Sequence, residues 1–377
     1  MARDVAIDAA DLLDVLKRMI RIRSVLPHEQ PLAEFIADEL RKIGVEPEWD
    51  EVAPGRPNVY ASADLGPRDR FLTLTGHTDT VGVARNWLTD PFDPVEQDGR
   101  LYGLGSVDMK AGLACALVAF KTLVESPECR GRLGRVGFAA TVDEEGYGTG
   151  ARALLKTEYA KSDGLLLGEP YYGDSDTGPI PLAMTGKVLY RLTVQGRAAH
   201  AFHPERGVNA VEDAGKILAA LPRLRLGAHP LIGQGNYSTL KVDGGYREYA
   251  VVVPEHCEII ITRLTVPGET RETAIQDMHD LIASLDLPSR VTVETPPPYY
   301  DPFFLDQRTP LLAAFQEGYR TVLGRSPVLA GRRGIIDGNI YVTEGGIPTV
   351  TFGPAGAGLH EAGEYVEIAT LEPVARV

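Results

Sequence analysis

The apolar residues of the first part of the chain recur with two different spacings. Helical spacing in residues 11–22, through Leu12, Leu16 and Ile20, and again in residues 31–43 predicts two amphipathic helices. Residues 113–123 are apolar almost throughout, which predicts a buried helix. Short apolar runs that predict buried strands lie at residues 72–75, 135–142, 164–167 and 347–352. Together these elements predict an α/β domain with a central mixed sheet flanked by helices.

A different pattern occupies residues 187–296. Residues 187–195 alternate between apolar and polar, which is typical of a sheet with one face in water. Further strand-like segments lie at 237–242, 248–253, 257–266 and 290–293, and helical ones at 208–221 and 269–285. The order βαβββαβ predicts an inserted α+β domain. We therefore predict one domain formed by residues 1–186 and 297–377 and a second formed by residues 187–296.

Chain length and net charge limit the classes of protein to which this chain can belong. A chain of 377 residues usually divides into two domains. A formal net charge of −14 argues against nucleic acid and against an anionic membrane surface as partners. The N-terminus has no apolar signal region and no run is long enough to span a membrane, so we predict a cytoplasmic protein. The three cysteines are far apart, which excludes a disulfide framework and favours buried core positions.

Histidine and carboxylate residues follow each of the four predicted buried strands. Asp108 adds another acid, where a long Gly-rich loop meets the buried helix. In open α/β sheets ligands bind at the carboxyl ends of the strands. One site could therefore collect His77, Asp79, Asp108, Glu144, Glu145, Glu169 and His360.

Two imidazoles with several carboxylates and no thiolate suit zinc, cobalt or manganese. There are more carboxylates than one ion needs, which favours a bridged pair of ions, as in aminopeptidases and related hydrolases. A carboxylate that is not a ligand could then take a proton from water. Each feature alone has a simpler reading: a polar loop at His77, a helix-dipole partner in Asp108, or a solvated acidic turn at 143–145. The coincidence at four strand ends favours the metal site.

The chain resembles the M20 metallopeptidase and deacylase family, which includes acetylornithine deacetylase, succinyl-diaminopimelate desuccinylase, aminoacylase and the carboxypeptidase that cleaves glutamate from folates. The resemblance extends over essentially the whole chain. The motifs that carry it are Gly76-His77-Thr-Asp79-Thr, Gly103-Leu-Gly-Ser-Val-Asp108-Met-Lys, Asp143-Glu144-Glu145, Gly168-Glu169-Pro170 and His360-Glu-Ala-Gly-Glu364-Tyr.

The resemblance implies a role for each site residue. His77, Asp108 and Glu169 would hold one zinc ion. Asp108, Glu145 and His360 would hold the other, so that Asp108 bridges the pair. Glu144 would be the general base, passing a proton from water to the leaving amine, and Asp79 would orient His77.

A motif in the predicted insert implies a dimer. The segment Gly196-Arg-Ala-Ala-His200-x-x-His-Pro204-x-x-Gly207-x-Asn209-Ala is similar to one in the family. Family members usually form homodimers through the inserted domain, which also acts as a lid. The resemblance implies that His200 reaches the active site of the partner subunit and supports the oxyanion.

The chain departs from the family pattern where the substrate would bind. Leu264 stands where many members have an arginine that grips the substrate carboxylate, and Arg263 is one residue away, on the opposite face of a strand. Val251 replaces a frequent asparagine, and Leu104 replaces a usual basic residue. We predict Arg263 and Asn209 as substrate-binding residues. The closing helix after residue 366 is expected to be short or truncated.

The sequence thus predicts a hydrolase with two zinc ions, replaceable by cobalt or manganese. It would cleave the amide of an N-acyl amino acid or related small amine. A dipeptidase, aminopeptidase or carboxypeptidase on the same scaffold is the nearest alternative. A non-catalytic metal-dependent binding protein is disfavoured because the base, Glu144, is in place.

Overall fold

A computed structural model describes residues 5–174, 178–248 and 250–377. The helices in these ranges are α1 Ala9–Arg21, α2 Gln30–Lys42, α3 Lys110–Glu125, α4 Thr149–Leu154, α5 Ala210–Ala220, α6 Arg271–Ala283, α7 Pro310–Leu323, α8 Asp337–Thr343 and α9 Leu371–Arg376. Among them, none is long and apolar enough to cross a lipid bilayer.

The strands of the same ranges are β1 Glu48–Ala53, β2 Arg56–Asp64, β3 Phe71–His77, β4 Val95–Gln97, β5 Arg100–Tyr102, β6 Arg135–Thr141, β7 Gly164–Leu167, β8 Ile180–Met184, β9 Gly186–Gln195, β10 Ala228–His229, β11 Gly233–Gln234, β12 Asn236–Gly244, β13 His256–Thr265, β14 Arg290–Glu294, β15 Phe303–Phe304, β16 Leu329–Arg332, β17 Thr349–Thr351, β18 Gly356–Ala357 and β19 Tyr365–Glu367.

The chain divides into two compact units. Unit 1 consists of residues 1–182, 305–330 and 336–377, and unit 2 of residues 183–304 and 331–335. The boundaries predicted from the sequence, after residues 186 and 296, lie close to those at 182 and 304. The short return to unit 2 at residues 331–335 was not predicted.

A six-stranded mixed sheet in the order β1-β2-β6-β3-β7-β17 forms the centre of unit 1. Strands β6, β3, β7 and β17 run parallel to one another. Strand β2 pairs antiparallel with β6 and with β1. These four parallel strands are the four buried runs predicted from the sequence. Their carboxyl ends share one edge of the sheet, and the predicted α/β class with a central mixed sheet and flanking helices is confirmed.

Helix α3 is the central helix of unit 1. It packs against β3, α1 and α9, and its apolar side chains, Leu113, Leu117 and Phe120 among them, are completely buried. A helix surrounded by protein has no polar face, which explains its nearly uninterrupted apolar sequence. This packing fixes the first turn of α3, and with it Asp108, against the sheet.

A second, smaller sheet in unit 1 has the order β18-β19-β5-β4. Strand β19 pairs antiparallel with β5, with Tyr365 opposite Tyr102. The pairing brings the Gly-rich loop 103–108, which leaves β5, beside the segment 358–364, which enters β19. Two stretches that are 250 residues apart in sequence are thus neighbours in the fold.

Unit 2 contains a four-stranded antiparallel sheet, β12-β13-β9-β14, packed on helices α5 and α6. Buried residues alternate with more exposed ones along β9, as the sequence predicted. The strand predicted at 248–253 is wrong: apart from Tyr249, which lies outside the described residues, this segment forms only an isolated bridge, at Val252. The backbone of residues 251–253 forms hydrogen bonds with the loop at 199–201. This loop is too short to extend the bridge into a β-ladder.

Candidate metal centre

His77 is the last residue of β3, and its side chain is 1% exposed. Its Nδ1 lies 2.9 Å from the backbone carbonyl oxygen of Asp79, a good hydrogen-bond distance. Donation from Nδ1 leaves Nε2 as the nitrogen that can bind a cation. That Nε2 faces Asp108 Oδ1 at 3.3 Å and Glu169 Oε1 at 3.6 Å.

Asp79 connects His77 to the acidic loop after β6. Its Oδ1 lies 3.5 Å from His77 Nδ1. The same carboxylate accepts hydrogen bonds from the backbone N–H groups of Glu144 at 3.2 Å and Glu145 at 2.9 Å. The sequence predicted only the contact with His77. The hydrogen bonds to the acidic loop give Asp79 a further task, holding the two glutamates in place.

Asp108 lies between the two histidines. Its Oδ1 is 3.3 Å from His77 Nε2, and its Oδ2 is 3.3 Å from His360 Nε2. His360 also lies 3.0 Å from Glu145 Oε1. One carboxylate therefore faces two imidazoles with different oxygen atoms, as a bridging ligand would.

The potential ligand atoms form overlapping groups in which every atom lies within 4.8 Å of the others. One group is His77, Asp108 and Glu169, a second is Asp108, Glu145 and His360, and a third is His77, Glu144 and Glu145. The first two are the sets that the sequence resemblance implied. All three take their residues from the strand ends and loops of unit 1.

The donor set fits a divalent cation. Glu169 is 4% exposed, and its Oε1 has no hydrogen-bond partner among the described residues. A buried carboxylate oxygen without a partner is costly, and a cation between Glu169 and His77 would remove that cost. The imidazole and carboxylate ligands suit zinc, cobalt or manganese.

The pKa values of the carboxylates and of His360 also favour a cation at this site. Burial, reinforced by neighbouring acids, raises the pKa values of Glu144 and Glu169 well above their usual range. Burial opposes ionisation of Asp108 as well, but hydrogen bonds from His360 and His77 hold its pKa below the usual value. The hydrogen bonds with Asp108 and Glu145 raise the pKa of His360 to about 10. Positive charge is therefore favoured at the position between these groups.

The loop that carries Glu144 and Glu145 is fastened through Asp143. This residue has a left-handed backbone conformation, with φ 71°. Its carboxylate accepts hydrogen bonds from Thr149 Oγ1 at 2.6 Å and from Arg56 at 2.9 Å. Arg56 also forms a bidentate pair with the fully buried Glu29. Arg56 and Glu29 lie far from the acidic motif in sequence and were not among the predicted site residues.

Asp337 is a further buried acid that the sequence analysis did not place in the site. It begins helix α8, is 1% exposed and accepts a hydrogen bond from Thr141 Oγ1 at 3.3 Å. Burial, opposed by His77 and reinforced by Asp79, raises its pKa to about 7. The sequence feature that could have pointed to Asp337 is an aspartate in a Gly-rich loop that precedes an apolar helix.

The other predicted site residues belong to unit 2, whereas the metal-ligand groups belong to unit 1. His200 lies in an exposed loop, where its Nδ1 accepts a hydrogen bond from the backbone N–H of Phe202. Asn209 is the N-cap of α5 and accepts hydrogen bonds from the N–H groups of Val211 and Glu212. This capping of α5 is a structural role for Asn209 that involves no contact with a substrate.

Arg263 has a structural position that corrects the prediction of a substrate contact. It is completely buried in unit 2, on the core face of β13. Its guanidinium pairs with Glu269 at 2.5 Å and Asp277 at 3.1 Å, and it donates to the carbonyl oxygen of Arg225. With these partners, Arg263 neutralises two partly buried acids and is not free to bind a substrate carboxylate.

The chain is similar to known proteins over most of its length. Residues 73–377 match the model of the family described as Peptidase family M20/M25/M40. A succinyl-diaminopimelate desuccinylase of Methylorubrum extorquens is 29% identical, over 96% of this chain and 95% of the relative. An aminopeptidase structure from Bacillus cereus superposes with a TM-score of 0.80 at 22% identity, over 98% of this chain and 96% of the other. A tripeptidase from Staphylococcus aureus gives 0.79 at 25% identity, over 98% and 96%.

Proposed function

The chain belongs to peptidase family M20/M25/M40, and from that membership and the site geometry we propose that it hydrolyses the amide bond of a small N-acyl amino acid with two bound divalent ions. His77, Asp108 and Glu169 would hold one ion, and Asp108, Glu145 and His360 the other. Zinc is the proposed metal, with cobalt or manganese as substitutes.

The observation that carries the proposal is the position of Asp108, which places one carboxylate oxygen 3.3 Å from each imidazole. Divalent ions held by these residues would supply a water of lowered pKa and a Lewis acid for the scissile carbonyl. Glu144 is half-buried and belongs to neither of these two sets, and in the third group its carboxylate lies within 4.8 Å of the ligand atoms of His77 and Glu145. It is therefore available to take a proton from water and deliver it to the leaving amine.

Burial adapts Glu144 to this task. A carboxyl group with a raised pKa is a stronger base than an exposed glutamate once it is ionised, and it gives up the acquired proton at a pH closer to neutrality. The hydrogen bond from its own backbone N–H to Asp79 fixes where this carboxylate can reach.

The names of the relatives support two substrate classes. The desuccinylase relative is similar over nearly the full length of both chains, which supports an N-acyl amino acid. The aminopeptidase and tripeptidase structures support a short peptide as the second candidate. Both classes contain the same scissile amide and differ in what flanks it.

Amine release from a panel of substrates separates the two. The panel contains N-succinyl, N-acetyl and N-formyl amino acids together with di- and tripeptides. The protein is stripped with a chelator and then supplied with zinc, cobalt or manganese. We expect metal-dependent cleavage of the acyl compounds. Cleavage of peptides alone would favour the peptidase, and activity that survives complete stripping would refute the metal-dependent mechanism.

Glu144→Ala tests the base. The variant is expected to keep both ions, because Glu144 belongs to neither proposed ligand set, and to lose turnover by a factor of about 10²–10⁴, the usual contribution of a positioned base. Turnover close to that of the wild type would remove Glu144 from this role.

A homodimer through unit 2 is also part of the proposal. Strand β12 lies at the edge of its sheet and exposes Leu240 and Val242, at 59% and 49%. An exposed edge strand with apolar side chains is a natural surface for pairing with a second chain. Sedimentation should show a dimer that Leu240→Lys weakens and Leu231→Lys, at another exposed apolar position in unit 2, does not. A monomeric wild type would contradict the proposal.

We further propose that His200 supports the oxyanion in the partner's site, on the strength of the sequence motif around it. Mixing the inactive variants Glu144→Ala and His200→Ala tests this directly. If His200 acts across the dimer, a mixed dimer contains one site with both residues intact, and activity returns. Recovery that does not occur in verified mixed dimers would assign His200 to its own chain or to no catalytic role.

A further inference from the structure

Glu364 is a buried carboxylate that neither ligand set uses. It is 1% exposed and immediately precedes β19. Its Oε1 accepts hydrogen bonds from the backbone N–H groups of Val107 at 2.9 Å and Asp108 at 3.0 Å. Its Oε2 accepts one from Gly105 at 2.8 Å. One carboxylate therefore holds three amides of the loop that ends in the bridging ligand.

The main chain of Glu364 is joined to the same loop. The backbone N–H of Gly103 donates to the carbonyl oxygen of Glu364 at 3.1 Å, which continues the pairing of β5 with β19. Four residues before Glu364, His360 has a left-handed backbone conformation, φ 62°, and a side chain that is 54% exposed. His360 therefore has little packing of its own to fix it, and its nearest buried anchor in the chain is Glu364.

We propose that Glu364 is a positioning residue that sets Asp108 and His360 at the mutual distance required to share a metal ion. The inference rests on the proposed function, since it concerns the same ligands. Carboxylates that hydrogen-bond the supports of ligands commonly govern metal affinity without touching the metal. Here the support is the backbone of the ligand loop, and charge-assisted bonds to N–H groups are the stronger kind.

The two ligand sets depend unequally on Glu364. In the set Asp108, Glu145 and His360, two members lie on the segments that Glu364 joins. In the set His77, Asp108 and Glu169, only Asp108 does. Loss of the carboxylate should therefore weaken the set that contains His360 more than the set that contains His77. A residue that only stabilises the fold would not discriminate between them.

Glu364→Gln is the sharpest substitution. The remaining oxygen can still accept from Val107 and Asp108, but the new NH₂ group faces the N–H of Gly105, which loses its acceptor. Glu367→Gln is the matched control: it makes the same chemical change three residues later, at an exposed position. Circular dichroism confirms that each variant is folded. If Glu364→Gln fails to fold, Glu364→Asp, which keeps the charge and withdraws it by one methylene, takes its place.

Zinc affinity is measured on stripped proteins by competition with a chromophoric chelator. We expect the affinity of the site that contains His360, the site lost in His360→Ala, to fall about 10- to 100-fold in Glu364→Gln, the range usual for such supports, and to be unchanged in Glu367→Gln. Repeating the comparison in a His360→Ala background, which keeps only the His77 set, should show a clearly smaller effect.

Folded Glu364→Gln with both affinities within about twofold of wild type would overturn the inference. So would an equal loss at both sites, or a loss of thermal stability with no change in affinity, because each describes a structural residue. If wild-type protein binds fewer than two ions, the proposed function fails first and this inference fails with it.

Discussion

Removal of the Arg56 guanidinium should destabilise unit 1 and disturb the acidic loop together. Arg56 is 16% exposed and lies between two acids, Glu29 and Asp143, whose side chains are 0% and 3% exposed. Breaking a buried pair by deleting one partner leaves an uncompensated charge and costs about 3–5 kcal/mol. The lower end applies here, because Asp143 keeps its hydrogen bonds with Thr149 and with the backbone N–H of Tyr147.

Arg56→Met should therefore lower the free energy of unfolding by about 3 kcal/mol. For a unit of this size, that corresponds to a fall in Tm of about 6–12 °C. The exposed pair Arg70–Asp163, with 73% and 48% of the two side chains in solvent, supplies the control: Arg70→Met should cost less than about 1 kcal/mol.

Denaturant unfolding of the two variants and of the double variant Glu29→Gln/Arg56→Met provides the assay. The double variant should recover part of the loss, since it removes the acid that Arg56→Met leaves unpaired. Catalytic turnover should fall in Arg56→Met more than in Arg70→Met, because Asp143 immediately precedes Glu144. A loss below about 1 kcal/mol in Arg56→Met would refute the reasoning that this buried pair holds the loop.

Three further predictions concern packing and charge in the described fold. A Cβ at Gly112 in α3 would lie 1.7 Å from the carbonyl oxygen of Gly168, so Gly112→Ala should cost about 3 kcal/mol in denaturant unfolding and shift the adjoining Glu169. Gly215→Ala in α5, where a Cβ meets nothing within 4 Å, should instead stabilise by about 0.5–1 kcal/mol. Glu39 in α2 is 2% exposed, and although burial opposes ionisation, its cationic partners hold its pKa below the usual value. Those partners are Arg18, Lys42 and Lys121. A lowered pKa contributes stability above the unfolded-state value and loses it as the pH falls through the folded-state value. Glu39→Gln should thus cost about 1–2 kcal/mol at pH 7, and the gap to wild type should close on acidification; a gap independent of pH would contradict the assignment.

The strand ends were the informative part of the sequence. Four buried apolar runs could be recognised without knowing their order, because parallel strands in one sheet place their carboxyl ends at one edge. The structure puts β3 directly between β6 and β7, so His77, the acidic loop and Glu169 start from adjacent strands. The pattern of apolar runs, together with the geometry of parallel sheets, was sufficient to predict that these residues lie close together.

The residues that hold the ligand loops could not be predicted in the same way. Asp143 and His360 have positive φ angles, and neither is a glycine that would have indicated such a turn. The contacts of Glu364 with the loop 105–108 link residues more than 250 positions apart. The spacing of apolar residues in a sequence does not indicate which distant backbone N–H groups a side chain will accept hydrogen bonds from.

The errors in unit 2 have a similar origin. Residues 250–253 are apolar, and the last three are β-branched valines, so they resemble a strand, but the partner they find is a short loop. Arg263 lies in a strand whose alternation puts it on the core face, and only the acids packed around it explain why a charge is tolerated there. Strand propensity and the alternation of apolar and polar residues describe a single strand. The structure of residues 250–253 and the burial of Arg263 depend instead on the segments packed next to them.

Metal stoichiometry in ligand variants tests the central claim most directly. Stripped wild-type protein is titrated with zinc or cobalt, alongside His360→Ala and Asp108→Ala, and bound metal per chain is measured after removal of free ions. Two overlapping ligand sets that share Asp108 predict two ions in wild type, one in His360→Ala and fewer than one in Asp108→Ala. Two ions bound to folded Asp108→Ala, or none bound to wild type, would contradict the account.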